Sequence, residues 1–210
     1  MVTVLIGTTN PSKVDKYRRI LGEDDYSFVT PADLGITGEP EESGSDPVEN
    51  AVIKARFYGR FHDRVICMDS GLFLTALPPD DPRQPKLHVR TPDGVRLGDE
   101  EMIAYYSALA ASLGGRTPAC WLDGTAVYCR GRISTIAEPW KAAEEKMFWL
   151  VDSPSPDRHE GWPLDSISIY ADTGEYFTCD EDRHALQASP KPIAEAYRER
   201  LRLFLISALK

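Results

Sequence analysis

The chain has 210 residues, 42% of them hydrophobic, and its 24 Lys and Arg stand against 33 Asp and Glu, a formal net charge of -9. This length fits one α/β domain, which we place at residues 1–210, and is enough to bury most of the apolar surface. The acidic balance disfavours non-specific binding to nucleic acid, and no stretch approaches the ~20 apolar residues of a membrane span.

Cysteine use and the first residues favour a cytoplasmic protein. The four cysteines form no C-x-x-C pair, so we expect no disulfide framework and a reducing compartment. The opening apolar run, Val2 to Ile6, has no basic leader and is too short for a signal peptide. We therefore expect a cytoplasmic location, with no nucleic-acid or membrane partner.

The first predicted elements are a strand, a tight loop and a helix. Val2 to Ile6 is an apolar run typical of a buried strand. Asn10 is a good N-cap and Pro11 a good first helical residue. Gly22 then ends the predicted helix.

An acidic loop and a second helix follow. Residues 33–45 are acidic and rich in Gly and Pro, which predicts a loop. The run Asp46 to Glu49 has the form of a capping box, and we expect a helix from Pro47 to Phe61. Asn50 and Lys54 are four residues apart, so they share one side of this helix.

The rest of the chain completes a mixed pattern of strands and helices, which predicts a curved mixed sheet flanked by helices. The predicted elements are a strand from Arg64 to Met68, a helix capped by Asp99 and ending at Leu113, a hairpin over 119–137 turning at Arg130-Gly131, a short helix or irregular excursion over 139–150, a strand over 167–170, a short helix over 180–186 and an amphipathic helix over 193–210 with Ile193, Tyr197, Leu201, Phe204 and Leu205 inward.

Three polar clusters lie at strand ends or helix starts, where ligands collect in open α/β sheets. Thr8 to Lys13 offers backbone N–H groups and a lysine to an anion, or is an ordinary capped turn. Glu39 to Glu42 offers oxygens suited to Mg²⁺, or is a solvated acidic loop. Asp69 to Gly71 puts a carboxylate directly after a buried strand, where it needs a partner or forms an Asx turn.

Together these clusters resemble the inosine triphosphate pyrophosphatase (ITPase) family, known for clearing deaminated purine triphosphates. Its pattern T-x-N-x-x-K stands at Thr8 to Lys13, E-x(6)-E-N-x-x-x-K at Glu42 to Lys54, and D-S-G-L at Asp69 to Leu72. The segment Gly161 to Ile167 resembles the family's G-F-G-Y-D-P-I, and Pro85 to Arg90 resembles its loop before the middle helix.

The resemblance implies a fold, a reaction and a set of site residues. The fold is ITPase-like (anticodon-binding-like), an elongated mixed sheet flanked by helices, with two lobes, a central cleft and commonly a homodimer. The reaction is Mg²⁺-dependent hydrolysis of a nucleoside triphosphate to the monophosphate and pyrophosphate. The implied residues are Glu42 and Asp69 for the metal, Asp69 and Lys54 for catalysis, and Thr8, Thr9, Asn10, Lys13, Ser70, Trp162, Asp165 and Arg183 for the substrate.

The sequence departs from the family pattern at three places, one that leaves the metal site a carboxylate poorer and two that concern recognition of the base. Met68 replaces the first of two aspartates before Ser-Gly-Leu, and Leu164 replaces an aromatic residue. The base-reading segment K-x-x-x-S-H-R is matched only by Arg183 and Ser189, and its His-Arg pair has no counterpart in register. Because base recognition depends on placed hydrogen bonds, we expect triphosphate cleavage without the usual inosine and xanthosine preference.

Two alternatives remain open at this point. The Maf group shares the fold, but its usual opening, Ser-x-Ser-x-x-Arg, differs from Thr8-Thr9-Asn10 with Lys13. The other alternative is a nucleotide-binding module that no longer turns over, which Met68 and the altered C-terminal segment favour. Retention of Glu42, Lys54 and Asp69 in register favours activity instead.

Overall fold

The computed structural model describes residues 1–159, 161–179 and 191–210, which form a mixed α/β fold, as the sequence predicts. The helix predicted over 180–186 lies outside these residues. The strands are β1 (Val2–Ile6), β2 (Tyr26–Val29), β3 (Arg64–Leu74), β4 (Arg116–Cys129), β5 (Arg132–Ala137), β6 (Phe148–Val151) and β7 (Ser168–Tyr170). The helices are α1 (Pro11–Leu21), α2 (Pro47–Tyr58), α3 (Asp99–Ser112), α4 (Trp140–Glu144) and α5 (Pro192–Ala208).

The seven strands form one mixed sheet in the order β2-β1-β3-β4-β6-β7, with β5 paired to β4. β1 runs parallel to both β2 and β3. β4 pairs antiparallel with β5 and β6, and β6 pairs antiparallel with β7. The parallel part therefore contains the strand–loop–helix opening of the chain, and the antiparallel part contains the predicted hairpin.

The contacts within the chain define two compact units. Unit 1 comprises Met1–Ser70, Leu122–Trp140 and Ile193–Lys210. Its core is built by β1, α2, β3 and β4, with the buried side chains Leu5, Ala51, Ala55, Tyr58, Val65, Cys67 and Ala126. Burial of such apolar surface is the main favourable term in folding, and here it fixes α2 against the sheet.

Unit 2 comprises Gly71–Trp121 and Lys141–Pro192. Its core joins α3 to the ends of β3 and β4 and to β6, through side chains that include Leu72, Leu74, Met102, Tyr106, Phe148 and Leu150. The assignment of residues 1–210 to a single domain stays a prediction.

The caps of α1 and α2 are those that the sequence predicts. The Asn10 side chain accepts from the Ser12 N–H, and the Asp46 carboxylate accepts from the N–H groups of Val48 and Glu49. The predicted capping box differs in one respect, because the Glu49 carboxylate accepts from Ser45 rather than from Asp46. Both helices begin where a polar cap and a proline stand together.

Strand β3 is longer than the sequence predicts. It continues from Arg64 to Leu74, so Asp69 lies within the strand rather than after its end. The reason is that Leu72 and Leu74 are fully buried in the core of unit 2 and extend the apolar strand past the polar residues. The predicted end of the strand at Met68 is therefore wrong, and so is the alternative of a strand-ending Asx turn at Asp69.

Other element predictions are confirmed with local corrections. The hairpin turns at Arg130 and Gly131, both with positive φ. Asp99 is the first residue of α3 rather than its cap, which is Gly98. For the segment 139–150 the sequence left a short helix or an irregular excursion open. The structure has the short helix α4 there, followed by strand β6. In α5 the prediction that Ile193 faces inward is wrong, since it is 44% exposed.

No helix within the described ranges has the length and apolar character needed to cross a membrane.

Candidate active site

Asp69 is a buried carboxylate in the middle of β3, held from α2. Its exposed fraction is 8%. Asn50 Nδ2 donates to Asp69 Oδ2 at 3.0 Å, and Lys54 Nζ donates to Asp69 Oδ1 at 2.9 Å. Both donors lie on one side of α2, as their spacing of four residues predicts. The helix thus pairs and orients a carboxylate whose burial is otherwise costly.

Lys54 lies between two carboxylates. Its Nζ is 2.9 Å from Glu42 Oε1 and 2.9 Å from Asp69 Oδ1. Burial acts to lower the pKa of Lys54, but the charges of Asp69 and Glu42 together outweigh burial, so the pKa is raised. Because both oxygens lie so close to one nitrogen, the two carboxylates predicted as metal ligands point at the same spot, and that spot favours a cation.

The loop that carries Glu42 is tied to α2 through Asn50. The side chain of Asn50 accepts from the Gly44 N–H at 2.8 Å while its amide donates to Asp69. A Cβ at Gly44 would lie 2.6 Å from Asn50 Oδ1, so only glycine allows this close approach. Asn50, which is 3% exposed, therefore links both predicted metal ligands to one helix.

Lys13, one turn into α1, faces the same part of β3. Its Nζ donates to the Met68 carbonyl at 3.4 Å. Burial lowers the pKa of Lys13, and the nearby charge of Lys54 lowers it further, while Asp69 and other carboxylates oppose this. The structure therefore brings Lys13, Lys54, Glu42 and Asp69 together, although their roles stay predictions.

The loop before α1 uses its polar side chains to hold its own backbone. Thr8 Oγ1 accepts from the Asn10 N–H at 3.1 Å, and Asn10 caps the helix. Thr9 Oγ1 donates to Glu39 at 3.3 Å. At Gly7 an added Cβ would lie 2.5 Å from Cys67 Sγ, so glycine keeps the loop against β3. Substrate binding by Thr8, Thr9 and Asn10 stays a prediction.

The pair Glu42 and Asp69 fits Mg²⁺ by the chemistry of its donors. Magnesium is held by hard oxygen ligands, commonly one or two carboxylates completed by water and substrate phosphates. Among the residues that the structure describes, no group of three or more His, Cys, Asp or Glu could hold a metal ion. Two carboxylates therefore suit a metal that arrives with a phosphate-bearing substrate rather than a closed structural site.

Ser70 faces the opposite side of β3 from Asp69, because neighbouring strand residues alternate. Its hydroxyl donates to Asp123 Oδ1 at 2.7 Å. Asp123 also forms an ion pair with Lys16. The structure thus places Ser70 in a second polar cluster of unit 1, while its predicted contact with the nucleoside is untested.

Trp162 and Asp165, predicted to bind the nucleoside, lie in unit 2 in and beside the short 3-10 helix Pro163–Ile167. Asp165 is 8% exposed and its Oδ2 is 2.9 Å from His159 Nδ1. Leu164, at the position where the family pattern has an aromatic residue, packs into the core of unit 2. Arg183, the third predicted residue of this part of the chain, lies outside the described residues.

Three residues of these clusters are absent from the predicted site. The spacing of four residues between Asn50 and Lys54, which puts both on one side of α2, was a signal in the sequence that pointed to Asn50. Lys16 stands one turn after Lys13, which is a second such signal. Asp123 had only a weak signal in the sequence, a carboxylate within a strand pattern. Its contact with Ser70, 53 residues away, depends on the pairing of distant strands.

Comparison with known proteins gives a family model that matches part of the chain and a fold that matches all of it. Residues 4–82 match the model of the Ham1 family. A dITP/XTP pyrophosphatase of Bacillus subtilis is 37% identical over 78 residues, which are 37% of this chain and 39% of that protein. One from Leptospira interrogans is 42% identical over 79 residues, with 37% and 39% covered. The similarity therefore spans about two fifths of the length of these relatives.

Solved structures extend the likeness over the whole chain. A HAM1 protein from Coxiella burnetii aligns with a TM-score of 0.67 at 19% identity, covering 99% of this chain and 100% of that one. The Ham1 protein of Staphylococcus aureus aligns with a TM-score of 0.66 at 20% identity, with 98% of both chains covered. These alignments define the class of protein, an α/β protein with the Ham1 fold.

Residues 4–82 match the Ham1 family model, and the whole chain has the fold of Ham1 proteins. Both findings confirm the predicted resemblance to inosine triphosphate pyrophosphatases.

Proposed function

We propose that this protein hydrolyses a nucleoside triphosphate to the monophosphate and pyrophosphate, with Mg²⁺ as cofactor. The observation that carries the proposal is the convergence of Glu42 and Asp69 on the ammonium of Lys54, with Lys13 beside the same strand. These four side chains lie within residues 4–82, which match the Ham1 family model, and the relatives that the chain resembles in sequence include dITP/XTP pyrophosphatases.

Glu42 and Asp69 are the residues that would hold Mg²⁺. The ion would offset phosphate charge and polarise the attacking water. In the hydrolysis the water oxygen forms a bond to phosphorus, the bridging bond between the α and β phosphates breaks, and the water proton is released. Most of the catalysis of such a step is positioning and charge stabilisation.

The residues around Asp69 are arranged for positioning. Asn50 and Lys54 donate to the two carboxylate oxygens of Asp69, and this leaves the carboxylate with little rotational freedom. A carboxylate beside cations is a weak base, so Asp69 orients the attacking water rather than taking its proton outright. Lys13 and Lys54 bind the phosphates and offset the charge of the leaving pyrophosphate.

A binding module without turnover is the second candidate function. Met68, 7% exposed, puts a thioether where the family pattern has a carboxylate, and this reduces the oxygen donors beside Asp69. Such a module would bind triphosphates without releasing pyrophosphate. Dimer formation and a cytoplasmic location remain predictions from the family resemblance.

A substrate panel with pyrophosphate detection tests the proposal. ITP, dITP, XTP, GTP and ATP are incubated with the purified protein, with Mg²⁺ and with EDTA in its place. We expect Mg²⁺-dependent release of pyrophosphate and monophosphate in equal amounts from at least one of them. Release of inorganic phosphate instead of pyrophosphate would contradict the proposal, and binding without any release would favour the binding module.

A further inference from the structure

A second charged cluster lies on the other side of β3 from Asp69, in unit 1. Asp123 on β4 forms an ion pair with Lys16 of α1 and accepts a hydrogen bond from Ser70. Lys16 Nζ also lies 3.5 Å from Met68 Sδ. The cluster therefore contacts Met68 and Ser70, the residues before and after Asp69 on β3.

Stability alone is a poor explanation for this ion pair. The side chain of Asp123 is 10% exposed and that of Lys16 is 31% exposed. Taking a carboxylate out of water is costly, and replacing a buried ion pair by apolar side chains is often neutral or stabilising. Lys16 is the more accessible partner, so a ligand can reach the cluster from the side of the Lys16 side chain.

Lys16 and Lys13 both contact Met68. They are three residues apart on α1, and their Nζ atoms approach the side chain and the carbonyl of Met68. The pKa of Lys13, lowered mainly by burial, is also affected by the charges of both Asp69 and Asp123. Lys13 thus lies within electrostatic range of both clusters, and Lys16 is a further cation beside β3.

We propose that Lys16 is a further phosphate-binding residue of the site, and that Asp123 is a positioning residue that holds the Lys16 ammonium beside residue 68. The ligand is the polyphosphate chain of a nucleoside triphosphate, so this inference rests on the proposed function. Asp123 fixes the ammonium in advance, and the phosphates then meet a cation that has little freedom left to lose.

Binding of inorganic tripolyphosphate, measured by isothermal titration calorimetry, isolates the phosphate contacts from the base. Lys16→Met should weaken this binding roughly tenfold, since a hydrogen bond to a charged group contributes on this order. The same variant should raise KM in the pyrophosphate assay with kcat nearly unchanged. Arg19→Met is the matched control, because it removes one exposed positive charge from the next turn of α1.

Asp123 is tested through non-additivity. Asp123→Asn keeps the size and an acceptor for Ser70 but removes the charge that holds Lys16, so tripolyphosphate should bind less tightly. Combined with Lys16→Met, it should cause no further loss, as expected for residues that act as a unit. Tighter binding by Asp123→Asn would overturn the positioning role.

The apolar double variant Lys16→Met with Asp123→Leu separates this role from a structural one. We expect a thermal unfolding temperature at or above that of the wild type, together with weakened tripolyphosphate binding. Unchanged binding would overturn the inference while pyrophosphate release still supported the proposed function. Binding that depends on Lys16 in a protein that releases no pyrophosphate would support the inference and reject the function. A wild type that binds no tripolyphosphate would reject both.

Discussion

Asn50 shows how one amide can organise a charged site. Its side chain accepts from the Gly44 N–H and donates to Asp69, so a single residue ties the loop of Glu42 to strand β3. Both partners are polar groups that lose water on folding. The geometry of the two predicted metal ligands therefore depends on a neutral residue that takes no part in the chemistry.

Asn50→Ala should destabilise the protein by about 2 kcal/mol, because it leaves the buried Asp69 oxygen and the Gly44 N–H without this partner. Urea unfolding measures the change, and Asp24→Asn, an exposed aspartate of the same unit, is the control. A loss below about 0.5 kcal/mol, as at ordinary surface sites, would show that Asn50 does not hold the site.

At this scale the sequence predicts which residues of one segment lie together better than it predicts contacts between distant segments. Glu42, Lys54 and Asp69 were all found from spacing and resemblance, because the motif keeps them in one segment of the chain. Asp123 was not, since its contacts with Ser70 and Lys16 need a strand far along the sequence to lie beside β3. Contacts that depend on tertiary pairing leave little trace in local patterns.

At the scale of elements, the start of α2 positions the site. Asp46 caps the helix by accepting from two backbone N–H groups, and one and two turns further on Asn50 and Lys54 reach Asp69. The sequence predicts the Asp46 cap, because cap and proline are neighbours, but not that Glu49 pairs with Ser45. It does not predict that β3 continues past Asp69, because that extension depends on the core that Leu72 and Leu74 enter.

Asp46→Ala should cost about 1 kcal/mol of folding stability through loss of the cap. Asp46→Asn keeps an acceptor for the same N–H groups and should retain most of that stability. Thermal or urea unfolding of the two variants gives the comparison. Equal stability of Asp46→Ala and wild type would contradict the capping role.

Glu49 adds a pH dependence to the same helix start. Hydrogen bonds from the Ser45 backbone N–H and hydroxyl lower the pKa of Glu49 below its ordinary 4.5. A lowered pKa means that the stabilisation is present above the unfolded-state pKa and is lost as pH falls through the folded-state pKa. The stability difference between wild type and Glu49→Gln should therefore shrink from neutral pH to about pH 3.5, measured by urea midpoints. A stability difference between the two proteins that stays constant over this pH range would contradict the role of the Glu49 carboxylate.

For the whole molecule, the two units carry different predicted tasks. The candidate phosphate and metal residues from Thr8 to Asp69 belong to unit 1, as does Ser70, whereas the predicted nucleoside contacts Trp162 and Asp165 belong to unit 2. The sequence predicts the mixed α/β class, because it depends on the alternation of elements along the chain. The division into two compact units depends on the long strands β3 and β4, whose full lengths were not predicted.

Asp165→Asn should change the relative rates with ITP, GTP and ATP and leave tripolyphosphate binding unaltered, because the residue is predicted to contact only the nucleoside. The wild type should show no strong preference for ITP, since the His-Arg pair of the family pattern has no counterpart in register. Pyrophosphate release across the three nucleotides measures both. Strong selectivity of the wild type for ITP over ATP and GTP would refute the predicted change in base recognition.

In the proposed reaction Asp69 positions the attacking water beside the lysines that bind the phosphates, and the variant Asp69→Asn shows whether turnover needs its carboxylate. Pyrophosphate release at saturating nucleotide and Mg²⁺ is compared with the wild type, with Asp24→Asn as control and thermal unfolding to verify the fold. We predict a folded variant whose kcat falls roughly 10²- to 10³-fold, the range typical of losing one group that positions or stabilises the reacting atoms. A folded Asp69→Asn variant that releases pyrophosphate at the wild-type rate would show that the Asp69 carboxylate does not position the attacking water.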